Sequence, residues 1–309
     1  MAIATIAALA LAACSSGTST APSAGTRAVE TSTGTVQVPE HPTRIVAGTA
    51  WSLDTLLDLG VTPVGMFSGG EDIVLPKYRA QLKDVVSISA DNGFSADREK
   101  ITVLEPDLIF DFASSETLAD ERKIAATIGQ DPANASWEDL TAQVAQAIGK
   151  TAQLDELKAR YEQKLDALKT KYAEVWTSTT WYVVQPGLDA GAPAVLFAPK
   201  NTEAGVILGK LGATFGAAEA GTNYGDDNTD GKSISSELLP TLSDGEAIIV
   251  WDNGEEPSGE ATTLFEQPLW KNLPAVQADT VLRASMPGSY GQALAFLDKL
   301  ESLAQKLQK

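Results

Sequence analysis

From residue 36 onward, short apolar runs alternate with helical patterns. "RIVAG" (44–48) reads as a strand, and residues 52–59 read as a helix with Leu53, Leu56 and Leu57 on one face. Gly60 stands where such a helix ends. "VTPVGM" (61–66), "VVSI" (85–88) and "EPDLIFDF" (105–112) predict three further strands, with a short helix over 97–104 and another over 116–128. Alternation of this kind predicts a mainly parallel sheet covered by helices.

The pattern then changes. "SWEDL" (136–140) starts a helix that Ser136 can cap, with Asp139 three residues on. Residues 151–176 contain no Gly or Pro, and Leu154, Leu157, Tyr161, Leu165, Leu168, Tyr172 and Val175 fall at steps of three and four. That stripe predicts one helix of roughly 37 Å at 1.5 Å per residue. A coiled-coil arm is the alternative, but so short a stripe between two β/α regions points to a helix lying across both. A second β/α region follows, with strands at "TWYVVQ" (180–185), "EAIIVW" (246–251) and "DTVLRA" (279–284), and helices over 203–211, 235–239 and 291–307. The expected fold is α/β: two lobes, each with a mainly parallel sheet flanked by helices, bridged by a single long α-helix. The lobes span 34–150 and 177–309, with the linking helix at 151–176. Loops at the carboxyl ends of parallel strands would open into the cleft between them.

The first residues are of another kind. Ala2–Ala13 are apolar or small apart from Thr5, and "LAAC" closes the run. It is too short to span a bilayer and has the size of a signal-peptide core. Leu-Ala-Ala-Cys resembles the bacterial lipobox, whose Cys becomes the lipidated first residue of the mature chain. The basic residues usual before such a core are missing, since the first Arg is Arg27. An ordinary cleaved signal with an incidental Cys is the other reading. The expectation is a signal peptide over 1–13, lipidation at Cys14, a flexible tether over 14–33, and an extracytoplasmic body anchored by lipid to the bacterial cell membrane.

Composition mainly excludes. A net charge of −18 argues against a nucleic-acid partner. The one Cys permits no intrachain disulfide. The one His, His41, sits between Glu40 and Pro42, a poor place for a mobile catalytic base. A zinc site of His and Cys fails on counting. "DDNTDG" (226–231) looks superficially like a calcium loop, but Leu238 stands where the bidentate Glu belongs, and a solvated loop is the simpler reading. No phosphate-binding glycine motif is present, and no carboxylate pair stands out for hydrolysis. Neither catalysis nor a resident metal or cofactor is expected.

In order, the "LAAC" box, the tether, "VQVPEHPTRIV", "LLDLGVTPVGM", "EKITVLEPDLIFDF", the long helix, "SISSELLPTLSDGEAIIV" and "PLWKNLPAVQADTVLRA" resemble the bacterial substrate-binding lipoproteins of ABC importers for iron–siderophore complexes and cobalamin. The resemblance runs from about residue 34 to 307 and is nearest to the hydroxamate-siderophore binders. It implies two lobes on one rigid helix, a ferric siderophore clasped between them, delivery to a permease dimer, a monomeric state and no catalysis. Cobalamin or haem on the same fold, a surface hydrolase and a structural lipoprotein are the alternatives. Glu99 in "DREKI" and Glu237 in "SISSELL" match the two glutamates with which the family docks on its permease. Read without the resemblance, each is a first-turn glutamate facing its helix dipole.

Ligand contacts are expected from the loops after the strands. In the first lobe these carry Trp51, Phe67, Asn92, Phe94, Phe112 and Ser114; in the second, Phe197, Tyr224, Trp251, Asn253, Met286 and Tyr290. An aromatic at a strand end can stack on a flat or oily ligand or can belong to a lobe core. Tyr290 in "SYGQAL" resembles the "YG" segment of hydroxamate binders, where that Tyr faces the ligand; the Trp usual two residues earlier is Gly288 here. The candidate loops hold few cations, among them Arg98 and Lys200, so a neutral or cationic chelate such as a ferrioxamine-like hydroxamate is expected.

Overall fold

The computed structural model describes residues 25–90, 96–189, 192–197, 202–216, 233–254 and 256–308. They open with an antiparallel hairpin, β1 (Thr26–Thr31) on β2 (Gly34–Pro39). Residues 26–31, expected in the tether, are therefore a strand. Val29 and its cross-strand neighbour Val36 straddle the register, Val29 and Val38 are wholly buried, and Arg27 donates to the Gln146 carbonyl. The hairpin rests on the first lobe, and Pro39 closes β2 instead of leading straight into the next strand.

That lobe runs β3 (Ile45–Ala47), α1 (Ala50–Asp58), β4 (Gly65–Met66), α2 (Gly70–Ile73), a 3-10 turn over Pro76–Leu82, β5 (Val86–Ser87), α3 (Arg98–Val103), β6 (Leu108–Phe112), α4 (Leu118–Glu121), β7 (Ala126–Gln130) and α5 (Trp137–Ile148). Its sheet has the order β5-β4-β3-β6-β7, with every pair parallel. The "LEPD" segment pins this sheet at its amino edge. Asp107 accepts the backbone N–H groups of Thr43 (2.7 Å) and Arg44 (3.0 Å), while Arg44 Nε donates to the Leu104 and Glu105 carbonyls. Arg44 thus anchors the start of β3. Residues 116–128 do not form the single helix expected. They divide between the one-turn α4 and the strand β7, because Thr127, Ile128 and Gly129 lie buried beside β6, with the Gly129 backbone close against Ala113.

The long helix α6 spans Thr151–Lys171 and stops short of the expected end. At Tyr172 the backbone leaves helical geometry, and α7 (Ala173–Ser178) follows directly. The Leu168 carbonyl there accepts both the Tyr172 N–H (3.0 Å) and the Trp176 indole N–H (2.9 Å). The second lobe comprises β8 (Thr180–Asp189), β9 (Ala192–Phe197), α8 (Glu203–Leu211), β10 (Thr214–Phe215), β11 (Ser233–Ser235), a 3-10 turn over Ser236–Leu242, β12 (Ala247–Trp251), α9 (Gly259–Glu266), α10 (Pro268–Lys271), α11 (Pro274–Gln277), β13 (Val281–Ala284) and α12 (Tyr290–Leu307). Its sheet has the order β11-β9-β8-β12-β13, with β10 beside the start of β8. β8, β10, β12 and β13 run parallel, and β9 is antiparallel to both of its neighbours.

The two sheets share a plan. In each, the edge strand is followed by a short helical segment that crosses to the strand beside the central one: α3 between β5 and β6, and the 3-10 turn between β11 and β12. α6 lies against α5 of the first lobe and α8 of the second, and α12 packs on α6 and reaches back to α1. One apolar core accordingly runs through both lobes, from Leu53 and Phe110 to Ile207 and Leu297. Among the described residues, no helix is long and apolar enough to cross a membrane.

Candidate ligand cleft

The carboxyl ends of β3, β4, β5 and β6 converge on a cavity of about 260 Å3. Thr49 and Ser52 form a capping box that starts α1 immediately after β3 and fixes the turn bearing Trp51. Phe67 follows β4, and Phe112 ends β6. These three aromatics wall the cavity, and Trp51 meets Phe112 edge-on at 6.1 Å between centroids. Trp51 also reaches across the cleft, its indole N–H donating to Glu203 Oε1 at the start of α8, 3.3 Å away. Burial raises the Glu203 carboxyl above the usual range.

Asp111 lines the same cavity and is buried. Behind it stands Glu121, whose Oε1 accepts the Thr117 hydroxyl at 2.8 Å. Burial, reinforced by the Asp111 charge, pushes the Glu121 carboxyl up to about 7. Asp111 Oδ2 and Glu121 Oε2 are both buried without a hydrogen-bond partner among the described residues.

On the second lobe, Trp251 and Asn253 at the end of β12 line a cavity of about 440 Å3 with Gln185 and Pro186 of β8. Between the lobes lies a third cavity of about 530 Å3, where Gly69, Asp72 and Arg79 face Asn253, Gly254 and Glu256. A fourth, of about 290 Å3, shares Asp72, Arg79 and Gly254 with the third and extends to Arg283, Gln292 and Lys299.

These cations correct the expectation of a cleft poor in positive charge. Arg79 sits in the 3-10 turn, Arg283 inside β13 and Lys299 on α12, none of them in a loop after a strand. Arg283 is largely committed, pairing with the buried Asp252 at 3.0 Å and donating to the Glu256 carbonyl at 3.0 Å. Asp72 lines both cavities beside Arg79.

The structure therefore gathers Trp51, Phe67 and Phe112 around a first-lobe cavity and Trp251 and Asn253 around a second-lobe cavity. Tyr290 is a correction. It begins α12 but is only 4% exposed, with its ring 4.9 Å from that of Trp137 and 5.5 Å from that of Tyr161. It closes an aromatic cluster in the shared core and lines none of these cavities. Met286 likewise packs, half-buried, against that core, and Ser114 is exposed in the turn after β6; neither lines these cavities. Asn92, Phe94, Tyr224 and Cys14 lie outside the described residues, as does the side chain of Phe197. His41 is exposed. Among the described residues, no three His, Cys, Asp or Glu side chains converge to hold a metal ion.

Gly288, where a Trp was the usual residue, has a structural cause. A Cβ at that position would overlap the carboxylate of Asp54 on α1.

Two α/β lobes on a shared helical spine, with aromatic-walled cavities at the carboxyl ends of their strands, define a two-lobed binding protein. The chain belongs to the periplasmic binding protein family, whose model matches residues 45–285. It is 27% identical over 284 residues to the iron(3+)-hydroxamate-binding protein FhuD of Bacillus subtilis, covering 89% of this chain and 84% of that one. It is 28% identical over 253 residues to a second iron(3+)-hydroxamate-binding protein of that organism, YxeB, covering 80% and 74%. Among solved structures, the siderophore periplasmic binding protein from the fuscachelin gene cluster of Thermobifida fusca superposes with a TM-score of 0.72 at 26% identity, covering 87% of this chain and 98% of that one.

Proposed function

We propose that this protein captures a ferric siderophore of the hydroxamate class between its lobes and hands it to the permease of an ABC importer. The observation that carries this reading is the cleft itself. Trp51, Phe67 and Phe112 wall a cavity at the strand ends of the first lobe, Trp251 and Asn253 line one at the strand ends of the second, and the Trp51–Glu203 hydrogen bond runs from one lobe to the other. Aromatic walls with a few polar groups suit a bulky, partly apolar chelate that brings its iron already coordinated. The hydroxamate-binding relatives support the ligand class. The role is transport, without chemistry on the cargo.

For delivery, Glu99 and Glu237 occupy equivalent crossings in the two lobes, on α3 and on the 3-10 turn before β12, and both are exposed. Each has an exposed apolar companion, Val103 at 80% and Leu238 at 51%. An acidic knob beside an apolar residue on each lobe suits a two-fold permease surface bearing cations. A lipid on Cys14 would hold the body at the membrane, with the first residues after it as tether.

The test is direct. Purified protein is mixed with ferric tris-hydroxamate, ferric tris-catecholate, cobalamin and haem, and each mixture is passed through gel filtration. A coloured monomeric peak with the hydroxamate is expected. Colour only with cobalamin or haem would overturn the ligand assignment.

A further inference from the structure

The cavity of the first lobe has an unusual balance. Among the described residues lining it, Asp111 is charged and no Lys or Arg is present. Trp51, Phe67 and Phe112 present three aromatic groups to the same space. Asp111 is only 7% exposed. One of its oxygens faces Glu121. The other, Oδ1, lies toward Gly48, whose backbone also lines the cavity; a Cβ there would stand 3.1 Å from it. A buried acidic side chain thus stands at the floor of an aromatic chamber.

Among the described residues, no neighbouring charge cancels it. Glu203 adds an acid across the cleft, held by the Trp51 indole. Lys100 approaches from behind Ser89, but its ammonium is bound to the Ser89 carbonyl at 2.7 Å and lies 3.9 Å from Asp97. Arg79, Arg283 and Lys299 belong to the other cavities. A buried carboxylate that, among the described residues, has no cation beside it is costly unless a partner arrives. Aromatic faces attract an ammonium, most strongly where water is excluded.

From this geometry we infer that the chamber of Trp51, Phe67, Phe112 and Asp111 is a subsite for an alkylammonium arm of the ferric chelate. The inference rests on the function proposed above and sharpens it: the cargo is a cationic complex, and the chain discriminates against the same complex with its amine capped.

The test uses a linear ferric tris-hydroxamate ending in a primary amine, and its N-acetyl derivative. The two differ only in that charge. Each is titrated into the wild-type protein, Asp111→Asn and Phe112→Leu, with affinity read by calorimetry and folding checked by circular dichroism. The wild type is expected to prefer the amine by about tenfold. The ratio of the two affinities should fall toward one in Asp111→Asn. Phe112 is at the exposed rim, so Phe112→Leu keeps the fold and should lower the ratio part of the way even if Asp111→Asn does not fold. Equal or tighter wild-type binding of the acetylated chelate overturns the subsite and leaves the proposed function standing. So does a preference that survives in both variants. If neither chelate binds, the proposed function falls, and the subsite falls with it.

Discussion

Asp58 of α1 and Ser289, the N-cap of α12, meet across the lobe junction with 2.5 Å between Oδ2 and Oγ. The same carboxylate oxygen accepts the Gly291 N–H at 2.8 Å, and Oδ1 accepts the Tyr78 hydroxyl at 2.8 Å. One side chain of the first lobe thus caps a helix of the second. An acceptor with negative charge at a helix N-terminus is stabilising, and charge-assisted bonds are the strong ones. Asp58→Ala strands a hydroxyl, a backbone N–H and a phenol together. A loss of about 2–4 kcal/mol in urea unfolding is expected. Asp58→Asn keeps one acceptor oxygen and should lose about half as much. A change below 0.5 kcal/mol for the alanine variant would mean the junction does not hold the lobes.

Stability should fall as pH rises. Asp54, wholly buried beside Asp58, is driven well above the usual carboxylate range by burial, with the Asp58 charge adding to it. Glu121 is raised to about 7 by burial and by Asp111. Both folded-state values lie above the unfolded ones, so the native chain holds more protons than the unfolded chain between them. Their contribution is complete below the unfolded carboxylate range, near pH 4, and Glu121's share is lost as pH rises through about 7. Urea midpoints measured between pH 5 and 8 should decline, with Glu121 contributing on the order of 2 kcal/mol. Glu121→Gln is expected to flatten that part of the slope; an unchanged slope would mean that Glu121 does not titrate in this range.

Docking and capture should separate by mutation. Glu99→Lys with Glu237→Lys is expected to abolish uptake of labelled ferric chelate by cells. Calorimetric affinity should stay within about twofold, because both side chains lie outside the cleft cavities. Weakened binding of the chelate itself would remove the glutamates from the permease interface.

Tyr290 should behave as a core residue. Tyr290→Ala opens a void between Trp137 and Tyr161 and is expected to cost about 3 kcal/mol in thermal or urea unfolding. Tyr290→Phe keeps the packing and should leave chelate affinity unchanged. A tenfold loss of affinity in the phenylalanine variant would return Tyr290 to the ligand wall.

Trp51, Phe67, Phe112, Trp251 and Asn253 were legible because a strand's carboxyl end can be placed from apolar runs and turn residues alone. The two-lobe plan was legible for the same reason, with the long stripe from Leu154 to Val175 marking the spine. Tyr290 was misplaced because its position beside a loop gives no sign that α5 and α6 close over it. The Asp58–Ser289 contact joins residues 231 positions apart, and no local pattern announces a pairing of that separation. Strand β7 was hidden in a segment whose charged start, "LADERK", looks helical. Arg79, Arg283 and Lys299 reach the cleft from a turn, a strand and a helix, so a search confined to loops after strands passes over them.

The glycines at 288 and 291 carry a further implication, for how this chain can change over time. A Cβ at Gly288 would overlap Asp54, and one at Gly291 would overlap Asp58. The two acids and the two glycines therefore form interlocked pairs drawn from opposite lobes. Descendants that place a bulky residue at 288 must first shrink or turn aside the acid at 54, and the same order binds 291 to 58. Sequence drift at this junction is expected to proceed in coupled steps. A library randomised at 54 and 288 together should yield folded clones with a large residue at 288 that randomising 288 alone does not.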